Sequence, residues 1–113
     1  MCMYFVLDER GEPQREHDLE AWSRWFEQAD RNIARTTVAA NITVLTTFSG
    51  VDENAEQEEH SRPFDTRVFG GVFDGQESRT RSRADAIAAH EELAHWCRVA
   101  TTFNFGITEE QIT

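Results

Sequence analysis

The sequence contains no lysine, so eleven arginines carry all of its permanent positive charge. Twenty-one aspartates and glutamates oppose them, which gives a formal net charge of −10 over 113 residues. Such a charge repels nucleic acid and anionic membranes and attracts basic surfaces. We therefore expect no direct binding of nucleic acid and no membrane association. The expected partner is a basic surface of a protein or ribonucleoprotein complex.

Cysteines and long apolar runs are also scarce. The two cysteines, Cys2 and Cys97, lie near opposite ends and form no C-x-x-C pair, which argues against a zinc ribbon or a redox dithiol. No apolar run approaches the length of a membrane span. Residues 1–7 are apolar but lack a basic region, and Asp8 follows too soon for a signal peptide. These absences predict a cytoplasmic protein.

No motif for a catalytic or metal site is complete. His90 and His95 stand five residues apart, roughly 140° around a helix, whereas a zinc-protease pair stands four apart. Asp52 opens a spacing similar to a calcium loop, but Gln57 and Pro63 occupy the positions that need glycine and glutamate. We therefore expect no catalytic residues, no metal and no cofactor, and interpret the chain as a non-enzyme.

The residue patterns predict an α+β fold. Strands are expected over 3–7, 33–38, 42–48, 64–69 and 77–81, from β-branched runs and alternating apolar residues. Helical spacing predicts a helix that begins near Asp18 and another that begins at Ser82, both residues being suited to cap a helix. We expect an antiparallel sheet of four or five strands, with two amphipathic helices packed on one face.

Chain length favours one domain over residues 1–100, followed by a tail over 101–113. The tail alternates Phe103, Phe105 and Ile107, a pattern that fits either an edge strand or a partner-binding segment. Both a monomer and a homodimer are compatible with this composition.

Negative charge is concentrated between residues 52 and 59. A solvated loop is the usual interpretation of such a run, and imitation of a phosphate array is the functional one. The predicted partner-binding residues are five acids of this segment and three exposed acids of the first helix: Asp52, Glu53, Glu56, Glu58, Glu59, Glu20, Glu27 and Asp30.

Several segments together resemble a family of small phage and prophage proteins of unassigned function. They are residues 19–31, 44–52 and 63–71, and the helix that carries Ala86 and His90; the similarity covers roughly residues 3 to 100. The chain departs from the family where Glu53, rather than a histidine, follows Asp52, and in its additional tail. The resemblance implies a mobile-element origin, a setting that includes anti-CRISPR and anti-restriction inhibitors.

Three functions follow as hypotheses. The first is a non-catalytic inhibitor that blocks DNA access by binding a basic groove of a host defence complex as a nucleic-acid mimic. The alternative is a structural or accessory phage protein, held through apolar contacts of the tail and the sheet edge. A third, an enzyme, would need a site assembled from distant residues, namely His60, His90, His95, Glu91 and Arg67.

Overall fold

The computed structural model describes residues 2–112, and the side chains of residues 2–102. Its class is α+β, as predicted. The elements in chain order are β1 (Met3–Leu7), β2 (Pro13–Arg15), α1 (Leu19–Gln28), β3 (Asn32–Ala39), β4 (Ile42–Phe48), β5 (Val51–Asp52), a 3₁₀ turn (Glu58–His60), β6 (Phe64–Phe69), β7 (Glu77–Thr80) and α2 (Arg83–Ile112).

The strands form two antiparallel sheets rather than the single sheet that the sequence predicted. One has the order β2-β1-β5 and the other the order β3-β4-β6-β7. After β4 ends at Phe48, Gly50 adopts a φ of 74° that turns the chain out of the larger sheet. Its continuation, β5, then pairs with β1 through Met3 opposite Asp52 and Tyr4 opposite Val51.

The two helices cover different parts of the fold, so the predicted helix packing is matched only in part. Helix α1 packs mainly against β1 and reaches the larger sheet through Trp25, whose ring centroid lies 5.7 Å from that of Phe48, whereas α2 packs against β3, β4, β6 and β7. The Trp22 indole fixes α1 by donating to the backbone oxygens of Phe5 (3.0 Å) and Gly50 (3.2 Å). The small sheet and α1 therefore form a unit beside the sheet that α2 covers.

Both predicted helix caps are confirmed. The Asp18 carboxylate accepts hydrogen bonds from the backbone N–H groups of Glu20 and Ala21 at the start of α1. The Ser82 hydroxyl accepts from the N–H of Asp85 at 3.1 Å at the start of α2. Local side-chain chemistry therefore fixes where each helix begins.

The tail continues as helix in the described backbone, because α2 runs through residues 101–112 to Ile112. The expectation of an edge strand there is wrong. The side chains of Phe103 and Phe105, on which the partner-binding alternative depends, lie outside the described side chains. Within the described part of the chain, no helix combines the length and apolar character that crossing a bilayer requires.

Candidate partner-binding surface

The acidic loop, defined as residues 53–62, connects β5 to β6 and is organised by Asp52. This side chain is only 5% exposed. One carboxylate oxygen accepts from the backbone N–H groups of Asn54 (2.9 Å) and Ala55 (3.1 Å), and the other accepts from the N–H of Arg62 (2.8 Å). Asp52 therefore joins the two ends of the loop from inside, and it is not the exposed contact residue that the sequence predicted.

The pKa of Asp52 agrees with this role. Burial opposes ionisation of the carboxyl group, but the backbone donors of Arg62, Asn54 and Ala55, together with the charge of Arg79, outweigh it. The net result is a pKa below the usual value for aspartate. The ionised carboxylate is thus the form that the folded loop stabilises.

Further hydrogen bonds close the loop. Ser49, at the end of β4, binds the carbonyl oxygen of Pro63 through both its backbone N–H (2.7 Å) and its hydroxyl (2.9 Å). The Ser61 hydroxyl donates to the carbonyl oxygen of Glu58 at 2.6 Å. Ala55 is buried in the same apolar cluster as Met3. Hydrogen bonds and a buried residue therefore hold the loop in one conformation, although its glutamate side chains are exposed to solvent.

The loop carboxylates, defined as Glu53, Glu56, Glu58 and Glu59, all belong to exposed residues. Among the described side chains, no arginine or histidine nitrogen lies within 4.0 Å of any of them, since every ion pair found there involves other acids. The loop therefore presents four carboxylates without an intramolecular ion-pair partner in the part of the structure that is described.

Cationic groups nevertheless lie within and beside the loop. Arg81 donates to the backbone oxygen of Glu59, so that it contacts the loop without pairing with a carboxylate. Arg62 and His60 line a cavity of about 250 Å³ together with Glu56 and the buried Asp52. The loop thus carries more acidic than basic side chains, and its basic residues are His60 and Arg62.

The acids predicted from the first helix form a second set. Glu20 is paired with Arg24 at 3.2 Å, an exposed ion pair between residues one helical turn apart. Glu27 is exposed, and Asp30 accepts a hydrogen bond from the N–H of Asn32 at 3.1 Å. Glu20 and Asp30 thus already have partners within the chain, and the loop carboxylates are the stronger candidates for contact with a partner.

The residues of the hypothetical enzyme site lie in different environments. His90 is buried and its ring nitrogens contact threonine hydroxyls, whereas His60 and His95 are exposed. Arg67 pairs with Asp65 and Glu77 on the larger sheet. In the described part of the chain, no group of three or more His, Cys, Asp or Glu residues is placed to hold a metal ion.

Sequence reasoning missed the charge cluster on the larger sheet. Asp65 stands opposite Arg79, and Arg67 stands opposite Glu77, so that two acids and two arginines alternate across β6 and β7. Burial and the neighbouring Glu77 raise the pKa of Asp65 above its usual value. Pairing of the strands creates this cluster, and residue spacing alone gave no signal for it.

No protein-family model, curated protein or solved structure shows a significant match to the chain. Its function is therefore inferred from the geometry and charge of the acidic loop.

Proposed function

We propose that the chain is a non-catalytic binding protein whose loop carboxylates engage a basic groove in place of a nucleic-acid backbone. The observation that carries this proposal is the presence of four exposed glutamates, without ion-pair partners among the described side chains, on a loop that buried Asp52 holds in shape. Duplex DNA carries about one charge per 1.7 Å of axis, so a compact acidic loop can compete for the same arginines and lysines.

Loop rigidity supports the proposal on energetic grounds. An exposed ion pair contributes only about 0.2–1 kcal/mol, so useful affinity requires several pairs to form together. Because the hydrogen bonds of Asp52 and Ser49 fix the loop before binding, less conformational entropy is lost when a partner is engaged. Affinity is expected to fall as salt is added, since exposed charges are screened.

The resemblance to phage and prophage proteins suggests the setting in which such a surface would act. The proposed role is inhibition of a host nucleic-acid-targeting defence complex, in the manner of an anti-CRISPR protein in the host cytoplasm. The net charge of −10 favours a basic partner over direct binding of nucleic acid.

The test uses two variants that each lose four negative charges. The loop variant is E53Q/E56Q/E58Q/E59Q, and the control variant, E9Q/D85N/E91Q/E92Q, neutralises exposed acids elsewhere. Binding of a deca-arginine peptide is measured by fluorescence anisotropy at low and high salt. We expect the loop variant to bind at least about tenfold more weakly than wild type, a loss of about 1.4 kcal/mol. The control should stay close to wild type; an equal loss in both variants would show that net charge alone determines binding.

Exposed apolar side chains favour a second candidate function, that of an accessory protein held by apolar contacts. Val72 is 64% exposed, Trp96 49% and Phe69 47%. With a purified partner, removal of residues 101–113 would abolish binding under this alternative, and the loop variant would bind normally. The electrostatic proposal requires the opposite pattern.

A further inference from the structure

A belt of polar side chains crosses the interior beneath α2. One ring nitrogen of His90, Nε2, lies 2.8 Å from the Thr36 hydroxyl, and the other, Nδ1, lies 2.9 Å from the Thr46 hydroxyl. Thr46 in turn contacts the Thr66 hydroxyl at 2.6 Å. His90 is 4% exposed, and Thr46 and Thr66 are fully buried. The imidazole thus joins the helix directly to β3 and β4, and Thr46 extends the connection to β6.

This polar belt separates two apolar clusters. Phe48 and Phe64, which are paired across β4 and β6, belong to one cluster, and Val44 and Val68, paired in the same way, belong to the other. The pair Thr46–Thr66 lies between them in the same strand register. His90 therefore meets the sheet at a layer with apolar side chains on both sides.

Helix α2 repeats this arrangement. Ala86, one turn before His90, packs in the first cluster, and Ala94, one turn after it, packs in the second. Small residues on either side let the helix approach the sheet closely, so that the imidazole reaches hydroxyls on β3 and β4. A shift of α2 along the sheet would break these bonds and leave buried polar groups without partners, which is costly.

The neutral imidazole suits this belt. It has one donor and one acceptor nitrogen, and threonine hydroxyls can serve as either partner. The residues of β4 and β6 that face α2 here are threonine, valine and phenylalanine, none of which offers a carboxylate to a charged imidazole. The acids of β6 and β7, Asp65 and Glu77, alternate with the pair Thr66–Ser78 and so lie on the other face of the sheet. The charged neighbours are on α2 itself, where Glu91 favours the protonated form and Arg98 disfavours it.

We propose that His90 is an acid-sensitive latch, in which proton uptake by its imidazole weakens the attachment of α2 to the four-stranded sheet. The physical basis is the cost of placing a charge between two apolar clusters without a carboxylate bonded to it. Helix α1 and the three-stranded sheet make no hydrogen bond to this belt among the described residues. Their stability is therefore expected to respond less.

The sign of the pH dependence follows from the pKa of His90. Burial is the largest influence and lowers it below the usual value of about 6.5. Above the pKa of His90 in the unfolded chain, the ring is neutral in both states and the folded state has its full stability. As the pH falls from there towards the lower pKa of the folded chain, the unfolded chain binds the proton first, and the free energy of unfolding decreases. Within that window, the folding equilibrium constant decreases by up to about tenfold per pH unit.

The test compares wild type with H90Q, which keeps hydrogen-bonding groups but does not titrate, and with H95Q. His95 is an exposed histidine on the same helix and provides the matched control. Urea unfolding is measured between pH 8 and pH 5, with hydrogen exchange used to follow α2, β4 and α1 separately. We expect wild type and H95Q to lose stability on acidification, with faster exchange in α2 and β4 before α1. H90Q should be nearly independent of pH over the same window.

An equal pH dependence in H90Q and wild type would overturn the proposal. If H90Q does not fold, the imidazole of His90 is titrated by NMR in the wild-type protein instead. A midpoint below the usual histidine value of about 6.5 supports the latch, whereas a midpoint at or above that value refutes it.

Discussion

Replacement of Asp52 by alanine tests whether this buried carboxylate holds the acidic loop. The substitution removes the acceptor for three backbone N–H groups, those of Asn54, Ala55 and Arg62. An orphaned buried donor costs about 1–3 kcal/mol, and water can compensate the more exposed of these three donors. We therefore expect Asp52→Ala to lower the free energy of unfolding by about 2–5 kcal/mol.

The isosteric variant Asp52→Asn separates charge from shape. Its carbonyl oxygen can still accept from Asn54 and Ala55, but its amide group would face the N–H donor of Arg62. The loss of stability should therefore lie between zero and that of the alanine variant. Because the pKa of Asp52 is lowered in the folded chain, the difference from wild type should persist above the usual aspartate pKa of about 3.9. It should shrink as the pH falls below that value towards the pKa of the folded chain.

Urea unfolding at pH 7, followed by tryptophan fluorescence, provides the assay. Glu53→Ala is the matched control, because Glu53 is the next residue, is exposed and accepts no hydrogen bond among the described residues. Its effect should stay within about 0.5 kcal/mol. If Asp52→Ala also changes the free energy of unfolding by less than about 1 kcal/mol, Asp52 does not organise the loop.

Two further predictions concern the larger sheet. Gly70→Ala should destabilise the fold much more than Gly75→Ala. Both glycines have positive φ, but only at Gly70 would a methyl group overlap a backbone oxygen, that of Asn41. Similar losses of unfolding free energy in urea for the two variants would contradict this prediction. Asp65→Asn should leave the free energy of unfolding at pH 7 equal to or above that of wild type. Burial and the neighbouring Glu77 raise the pKa of Asp65, which means that the folded state disfavours the charged carboxylate. Any gain should vanish below about pH 4, where the unfolded chain also binds the proton, and a lower stability at pH 7 would refute the reasoning.

Local features of the fold were predictable from the sequence because their causes are local. Asp18 and Ser82 cap the helices by bonding to amides two or three residues away. The strand expected over 64–69 is present, and its alternate residues Phe64, Thr66 and Val68 are all fully buried. These interactions depend only on residue type and spacing.

Features that depend on distant pairing could not be predicted in this way. The division into two sheets follows from the turn at Gly50 and from pairing of β1 with β5 across about fifty residues. Asp52 was expected at the surface with its acidic neighbours, but strand pairing with Met3 places it inside. His90 likewise finds its threonine partners on strands that are more than forty residues away in the chain. The spacing of residues along the chain does not predict these contacts.

We propose that the loop carboxylates, rather than net charge, let this chain occupy a surface that would otherwise bind nucleic acid. The most direct measurement is competition for an immobilised deca-arginine peptide preloaded with a fluorescent 20-base-pair duplex. Wild type and the control variant E9Q/D85N/E91Q/E92Q should displace the duplex, and the loop variant E53Q/E56Q/E58Q/E59Q should require at least about tenfold more protein. Equal displacement by the loop variant and the control variant, or duplex retained in the presence of wild type, would contradict the claim.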